Sequence, residues 1–196
     1  MILSILIPTV EGREKQLNKL LSYLKWQIDY LGVEDKVQVL TEWDKKEMTI
    51  GSKRNLLLSK AKGIYSWQID DDDWISDNAI ELILKAAEDN SDCIGFKEIC
   101  IMGQKAVKTS NFSLRYQRWV GKPYDQFDHV RTPFCKTPIK TELARSVKFR
   151  DERYQEDEHY ANDIKPLLRT ESYIDEFIYI YRYKYEPHKT KYGYAS

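Results

Sequence analysis

Apolar residues along this chain recur with two periods, and the points where the period changes mark the elements. An apolar run from Ile2 to Ile7, stopped by Pro8, has the texture of a strand buried in a parallel sheet. Leu17, Leu20, Leu21, Leu24, Ile28 and Leu31 then fall at helical spacing and predict one apolar helix face from about Arg13 to Leu31. Val37 to Thr41 reads as a second short strand. Lys53 to Lys62 reads as a helix with Leu56, Leu57 and Ala61 inward, ended by Gly63. Ile64 to Ile69 is a third strand, and Asp77 to Glu88 a helix carrying Ile80, Ile83, Leu84 and Ala87. Three strand–helix pairs in succession predict a doubly wound α/β sheet, in which ligands sit beyond the carboxyl ends of the strands. Pro8-Thr9, Glu42 to Asp44 and Asp70 to Asp73 all lie at such ends.

After Asn90 the texture changes. Cys93 to Ile101 and Ala106-Val107 suggest antiparallel strands around Met102-Gly103-Gln104, and Asn111 to Thr137 is aromatic, basic and irregular, more like a binding loop than a core element. Thr141 to Val147 and Asp157 to Leu168 are predicted helical, and Ile174 to Tyr185 is a strand-like run dense in tyrosine. The pattern predicts one domain over residues 1–196, with a nucleotide-type half at 1–90 and an acceptor-type half at 91–196.

Composition adds bounds. A chain of 196 residues can bury a real core without a disulfide or a structural zinc. Lys plus Arg equals Asp plus Glu at 31 each, so the global charge names no partner. Its distribution is uneven: from Met102 to Arg150 eleven Lys/Arg stand against three Asp/Glu, Asp125, Asp128 and Glu142, a local excess of eight positive charges. The three cysteines, Cys93, Cys100 and Cys135, form no CxxC pair and fit reduced thiols. The first residues lack a basic start and a small-residue cleavage site, and no stretch is long and apolar enough to span a membrane, so a cytoplasmic protein is expected.

The chemistry concentrates in Gln68-Ile-Asp-Asp-Asp-Asp-Trp74, four acids directly after a β-prone run. Like charges this close repel, and none can be buried without a counter-ion. A strand that stops near Ile69 and delivers its acids to a divalent cation accounts for them, because Mg²⁺ and Mn²⁺ take oxygen ligands and Mg²⁺ typically uses one or two carboxylates with phosphate oxygens. A solvated acidic loop is the bland alternative.

Several segments, in order, resemble family 2 glycosyltransferases of the GT-A fold. Ser4-Ile-Leu-Ile-Pro-Thr9 is similar to that family's opening strand. Ile50-Gly-Ser-Lys-Arg-Asn55 with Ala61-Lys-Gly-Ile-Tyr65 resembles the stretch before its metal strand, and Gln68 to Trp74 resembles its DxD motif. Phe134 to Phe149 resembles the strand and helix after the acceptor loop, and Arg153-Tyr-Gln-Glu-Asp-Glu158 the element carrying the catalytic base. Aligning Ile69 and Trp74 with the motif's apolar and aromatic flanks makes Asp70 and Asp72 the DxD pair. Val10 and Glu11 stand where the family often has an aromatic and an Asn, and the QxxRW signature of processive synthases is absent.

The resemblance implies a GT-A, Rossmann-like α/β fold with a mostly parallel central sheet and a smaller antiparallel acceptor-side part. It implies a metal-dependent, inverting glycosyltransferase that takes a nucleoside-diphosphate sugar, with a UDP-sugar as the expected donor and Mn²⁺ or Mg²⁺ as cofactor. Asp72 and Asp70 are the expected metal ligands, with His188 as a further candidate. Pro8, Thr9, Glu11, Glu42, Asp44, Lys53, Arg54, Asp70 and Asp71 are the expected donor-binding residues. Asp157 is the expected base, since an acceptor hydroxyl must lose its proton as it attacks, and Glu156 would position the acceptor or the loop. A saccharide-type hydroxyl is the expected acceptor. Hydroxylated bases of phage DNA are the alternative, because the basic segment 102–150 with its aromatics matches what nucleic-acid grooves use. A nucleotidyltransferase would want a Gly-rich phosphate loop near the first strand, which Pro8-Thr-Val-Glu-Gly12 serves poorly. A non-catalytic sugar-nucleotide-binding module is the remaining rival.

Overall fold

The computed structural model describes residues 1–103, 106–152 and 155–183. Strand β1 (Leu3–Pro8) is central because its apolar side chains all need burial: Leu3, Ile5, Leu6 and Ile7 are fully covered. It pairs in parallel with β2 (Val37–Glu42) on one side and β3 (Tyr65–Gln68) on the other, with Ile5 opposite both Val39 and Trp67. Ser4, also buried in β1, is satisfied by donating to Gln38 and accepting the amide of Gly63 at 2.8 Å. A Cβ at Gly63 would lie 2.5 Å from the Ser4 nitrogen, so this glycine is set by close approach.

Helix α1 (Glu14–Leu31) buries Leu20, Leu24 and Ile28 along one stripe and ends at Gly32, whose φ of 63° closes the helix with amide bonds back to Asp29 and Ile28 carbonyls. Helix α2 (Ile50–Lys60) begins three residues earlier than the periodicity suggests, because the Thr49 hydroxyl caps it by accepting the Ser52 amide. It buries Leu57 and Leu58 rather than Leu56, and it ends at Ala61 in extended conformation, ahead of the expected Gly63 stop. Helix α3 (Ala79–Ala86) buries Ile80 and Ile83, and a 3₁₀ turn (Ala87–Asp89) completes the expected helical segment. Gln27 ties α1 to the start of α3 by donating to the Ser76 carbonyl and accepting the Ile80 amide.

Strand β4 (Trp74–Ile75), which periodicity does not reveal, follows the acids directly and pairs antiparallel with the last strand, β9 (Glu171–Tyr183). Strands β5 (Cys93–Met102) and β6 (Ala106–Phe112) form the expected antiparallel pair, and β9 runs parallel to β5 along its length. Short β7 (His129–Arg131) extends β6, and β8 (Ile139–Lys140) bridges β3 to β5, so the sheet runs β2-β1-β3-β8-β5-β6-β7. Helices α4 (Thr141–Ser146) and α5 (Glu156–Ile164) close the second half. One continuous set of buried apolar side chains links both halves, from Leu3 to Tyr179.

The irregular span 111–137 is less of a surface loop than its composition suggests. Asn111 and Phe112 belong to β6, Tyr116 is 5 % exposed, and Phe134 packs edge-on against Phe112 and Trp119. Aromatic rings of this size are core material first. Tyr124 is the large hydrophobic of this span that remains well exposed.

Candidate active site

The carboxyl ends of β1 and β3 open into a cavity of about 380 Å³. The turn after β1 supplies Pro8, Thr9, Val10 and Arg13 to its wall, α2 supplies Ile50, Lys53 and Arg54, and the turn after β3 supplies Asp70, Asp71 and Asp72. Glu156 from the start of α5 and Tyr181 to Tyr183 from β9 complete the wall.

The four consecutive acids have four different fates. Asp70 accepts from Arg54 Nη2 at 2.9 Å; desolvation opposes its charge, but Arg54, then Lys136 and Arg13, hold its carboxyl below the usual range. Asp71 turns inward, accepting from the Thr9 hydroxyl and from Arg13 Nη1, both at 2.6 Å, and burial pushes its carboxyl up. Asp72 stays partly exposed on the cavity wall, 3.5 Å from the same Arg13 nitrogen. Asp73 points into the protein, where Lys136 Nζ, the Tyr179 hydroxyl and the Arg182 amide all donate to it at 3.0 Å or less. It therefore anchors the acidic turn to β9. Tyr179 reinforces the anchor by accepting the Asp70 amide.

Arg54 is a buried cation of the site. Its Nη1 donates to Gln68 at 2.9 Å, and its Nε lies 3.7 Å from Glu156 with no hydrogen-bond partner. Burial raises the Glu156 carboxyl, with Arg54 opposing. Asp157, one residue on, is off the cavity wall but close enough to act electrostatically on Arg54, and its Oδ1 accepts the Glu158 amide at 2.8 Å.

Other expected donor residues are already paired within the protein or lie off the cavity wall. Asp44 is buried in an ion pair with Lys53 and also accepts the Met48 amide at 2.6 Å, so it shapes the turn after β2 and is off the cavity wall. Lys53 reaches the wall but spends its ammonium on Asp44 and on the Thr9 carbonyl at 2.6 Å. Glu42 is paired with Lys60 at 2.7 Å, and Glu11 is exposed beyond the wall. His188 lies outside the described residues, as do Arg153 and Tyr154.

Arg13 is one wall residue not expected from the sequence; a cation in the turn after the first strand was the available signal. Tyr181 and Arg182 reach the wall through the pairing of β4 with β9, for which the sequence carries no local sign.

Among the described residues no group of three or more His, Cys, Asp and Glu side chains is placed to hold a cation by protein ligands alone. Asp70 and Asp72 nevertheless bring hard oxygens to an open cavity, which fits an ion that takes one or two carboxylates and completes its shell with diphosphate and water.

Among the described residues of the basic segment 102–150, several cations are paired within the chain. Lys136 is buried with Asp73 and Glu98, Lys140 pairs with Asp92, Arg150 with Asp163 and Arg115 with Asp125. Arg145 donates to the Leu58, Ser59 and Ala61 carbonyls at the end of α2, and Arg131 to the Val120 and Val130 carbonyls. Six of the eleven cations thus have internal work.

No family model matches the sequence, and no curated protein is similar to it in sequence. Solved structures do match. S. aureus TarS residues 1–349 in complex with UDP superimposes with a TM-score of 0.70 at 17% identity, covering 94% of this chain and 61% of that one. The same TarS fragment in complex with UDP-GlcNAc gives 0.68 at 17% identity, covering 100% and 62%. The fold is GT-A. A putative glucose-1-phosphate thymidylyltransferase from Bacillus anthracis shares the sheet more distantly, with a TM-score of 0.50 at 10% identity over 90% of this chain and 87% of that one. The chain spans about three fifths of the TarS fragment's length.

Proposed function

We propose that this chain is a glycosyltransferase that takes a nucleoside-diphosphate sugar, with a UDP-sugar as donor, and transfers the sugar with inversion to a saccharide-type hydroxyl. The observation that carries the reading is the cavity at the ends of β1 and β3, where Asp70 to Asp72 and the buried Arg54 converge. It receives support from TarS, a protein of the same fold that binds UDP and UDP-GlcNAc. The DxD assignment to Asp70 and Asp72 and the likeness to family 2 belong to the same proposal.

Asp72 and Asp70 would hold Mn²⁺ or Mg²⁺, which when bound would neutralise charge developing on the leaving diphosphate. Arg54 presents a fixed, desolvated positive charge to the donor's anionic part, and such a charge needs no reorganisation as the bond breaks. Thr9 and Arg13 fix the orientation of Asp71 and with it the acidic turn. At the opposite wall Glu156 is held against Arg54 and suits positioning. Asp157, more accessible and not ion-paired to that arginine, is assigned as the base that takes the acceptor proton and returns it to solvent.

The internal commitments of Lys136, Lys140, Arg145 and Arg150 favour a saccharide over nucleic acid as acceptor. Cations already paired within the chain are less available to phosphates. The test is turnover of a panel of UDP-, GDP- and TDP-sugars with Mn²⁺, Mg²⁺ or EDTA, with and without oligosaccharides and hydroxymethylated DNA. Cation-dependent turnover of a UDP-sugar is expected. Sugar transfer confined to the modified DNA would replace the acceptor. Formation of a nucleotide sugar from a triphosphate and a sugar phosphate would replace the reaction class. Donor binding with no turnover under any condition would leave only a binding module.

A further inference from the structure

Asp70, Asp71 and Asp72 face one cavity, and adjacent ionised acids repel unless cations stand between them. Among the described residues two arginines on the cavity wall do so, and they are held very differently. The Arg54 side chain is 5% exposed and donates to Gln68 and Asp70, so it cannot leave without stranding buried charge. The Arg13 side chain is 43% exposed and reaches Asp71 at 2.6 Å and Asp72 at 3.5 Å through one nitrogen, Nη1. It is the residue just before α1 and has solvent beside it. If its guanidinium moves, Asp71 still keeps the Thr9 hydroxyl.

Resting on the donor-and-cation reading above, we infer that Arg13 is a resident counter-ion that a divalent cation displaces from Asp72, and that it then turns onto the donor diphosphate. A divalent cation ligated by Asp72 and a guanidinium 3.5 Å from that carboxylate would be like charges competing for one place. The displaced fork has a ready partner, since arginine matches phosphate oxygens through paired N–H donors. The N-terminus of the 18-residue α1 adds its positive end at the same point. Arg54, whose Nε is buried without a hydrogen-bond partner 3.7 Å from Glu156, adds a second guanidinium on the same wall. The arrangement disfavours the cation alone and favours cation and diphosphate together, a coupling of two ligands through one side chain.

The test measures Mn²⁺ binding through the free-ion EPR signal and UDP binding by calorimetry, each ligand alone and in the presence of the other. Wild type, Arg13→Gln, Arg13→Lys and Asp72→Asn are compared. Arg13→Gln should bind Mn²⁺ alone more tightly by roughly five- to tenfold and UDP with Mn²⁺ more weakly by a similar factor, so the mutual enhancement shrinks toward one. Arg13→Lys keeps the charge and loses the fork; it should retain the weak Mn²⁺ affinity and show only the UDP loss. Unchanged or weaker Mn²⁺ affinity in Arg13→Gln overturns the counter-ion role. Should that variant not fold, a gain in Mn²⁺ affinity or an unchanged UDP affinity in Arg13→Lys overturns it instead. If wild type binds no Mn²⁺ beside UDP, or Asp72→Asn binds it equally well, the cation reading fails and this inference with it. Intact Mn²⁺ and UDP binding with no effect at Arg13 removes only the inference.

Discussion

Glu98 gives the sharpest test of the network that anchors the acidic turn. Its carboxyl is buried in β5 beside Lys136, 3.8 Å from the ammonium that also holds Asp73, and its Oε2 has no hydrogen-bond partner. Burial raises it from 4.5 to about 7, with Lys136 opposing and Asp73 adding to the rise. A buried acid raised in this way binds its proton in the folded state where the unfolded chain has released it, so stability falls as pH rises from 4.5 to about 7. Between about pH 5 and about pH 8 this one group should cost about 2.5 kcal/mol. Glu98→Gln keeps the shape and cannot ionise. Urea unfolding followed by tryptophan fluorescence at both pH values gives the comparison, and titrations common to the two proteins cancel in the difference. The stability gap between variant and wild type should shift by about 2 kcal/mol or more in favour of the Gln variant on going to the higher pH. Parallel pH dependences would refute the argument, because they would mean that Lys136 keeps Glu98 ionised throughout.

Gly51→Ala should lower stability by about 1–3 kcal/mol in thermal or urea melts, although alanine is ordinarily the better helix former, because its Cβ would lie 2.0 Å from the Arg150 carbonyl oxygen; a gain in stability would show that this contact yields freely. Asp72→Asn should abolish cation-dependent turnover with an unchanged circular dichroism spectrum, and full activity of the variant in EDTA would remove both the register and the metal role. Asp157→Asn should reduce transfer by roughly 10²–10⁴-fold while sparing UDP affinity. If Glu156→Gln shows that pattern and Asp157→Asn does not, the base is Glu156.

Much of the first half of the fold could be read from the chain. The apolar run of β1, the helical stripe of α1 and the break at the four acids are local patterns, and burial follows them because a parallel strand or an amphipathic helix has few other ways to hide those side chains. The convergence of Thr9, Arg54 and Asp70 to Asp72 follows from the same logic, since strand ends in a doubly wound sheet meet at one edge. What each acid does there was not local information. Asp70, Asp71, Asp72 and Asp73 are chemically identical in the sequence; only their distances to Arg54, Thr9, Arg13 and Lys136 separate them into a partner of the buried arginine, a fixed turn, a partly exposed carboxylate on the cavity wall and an anchor. The excess of positive charge in 102–150 is in part paired within the chain, because a local charge count cannot see Asp73, Asp92 and Asp163 arriving from other segments. Charge and hydrophobic period are written along the chain, whereas counter-ions are chosen by long-range packing, and a carboxylate's role depends on which cation the fold brings within about 3–4 Å of it.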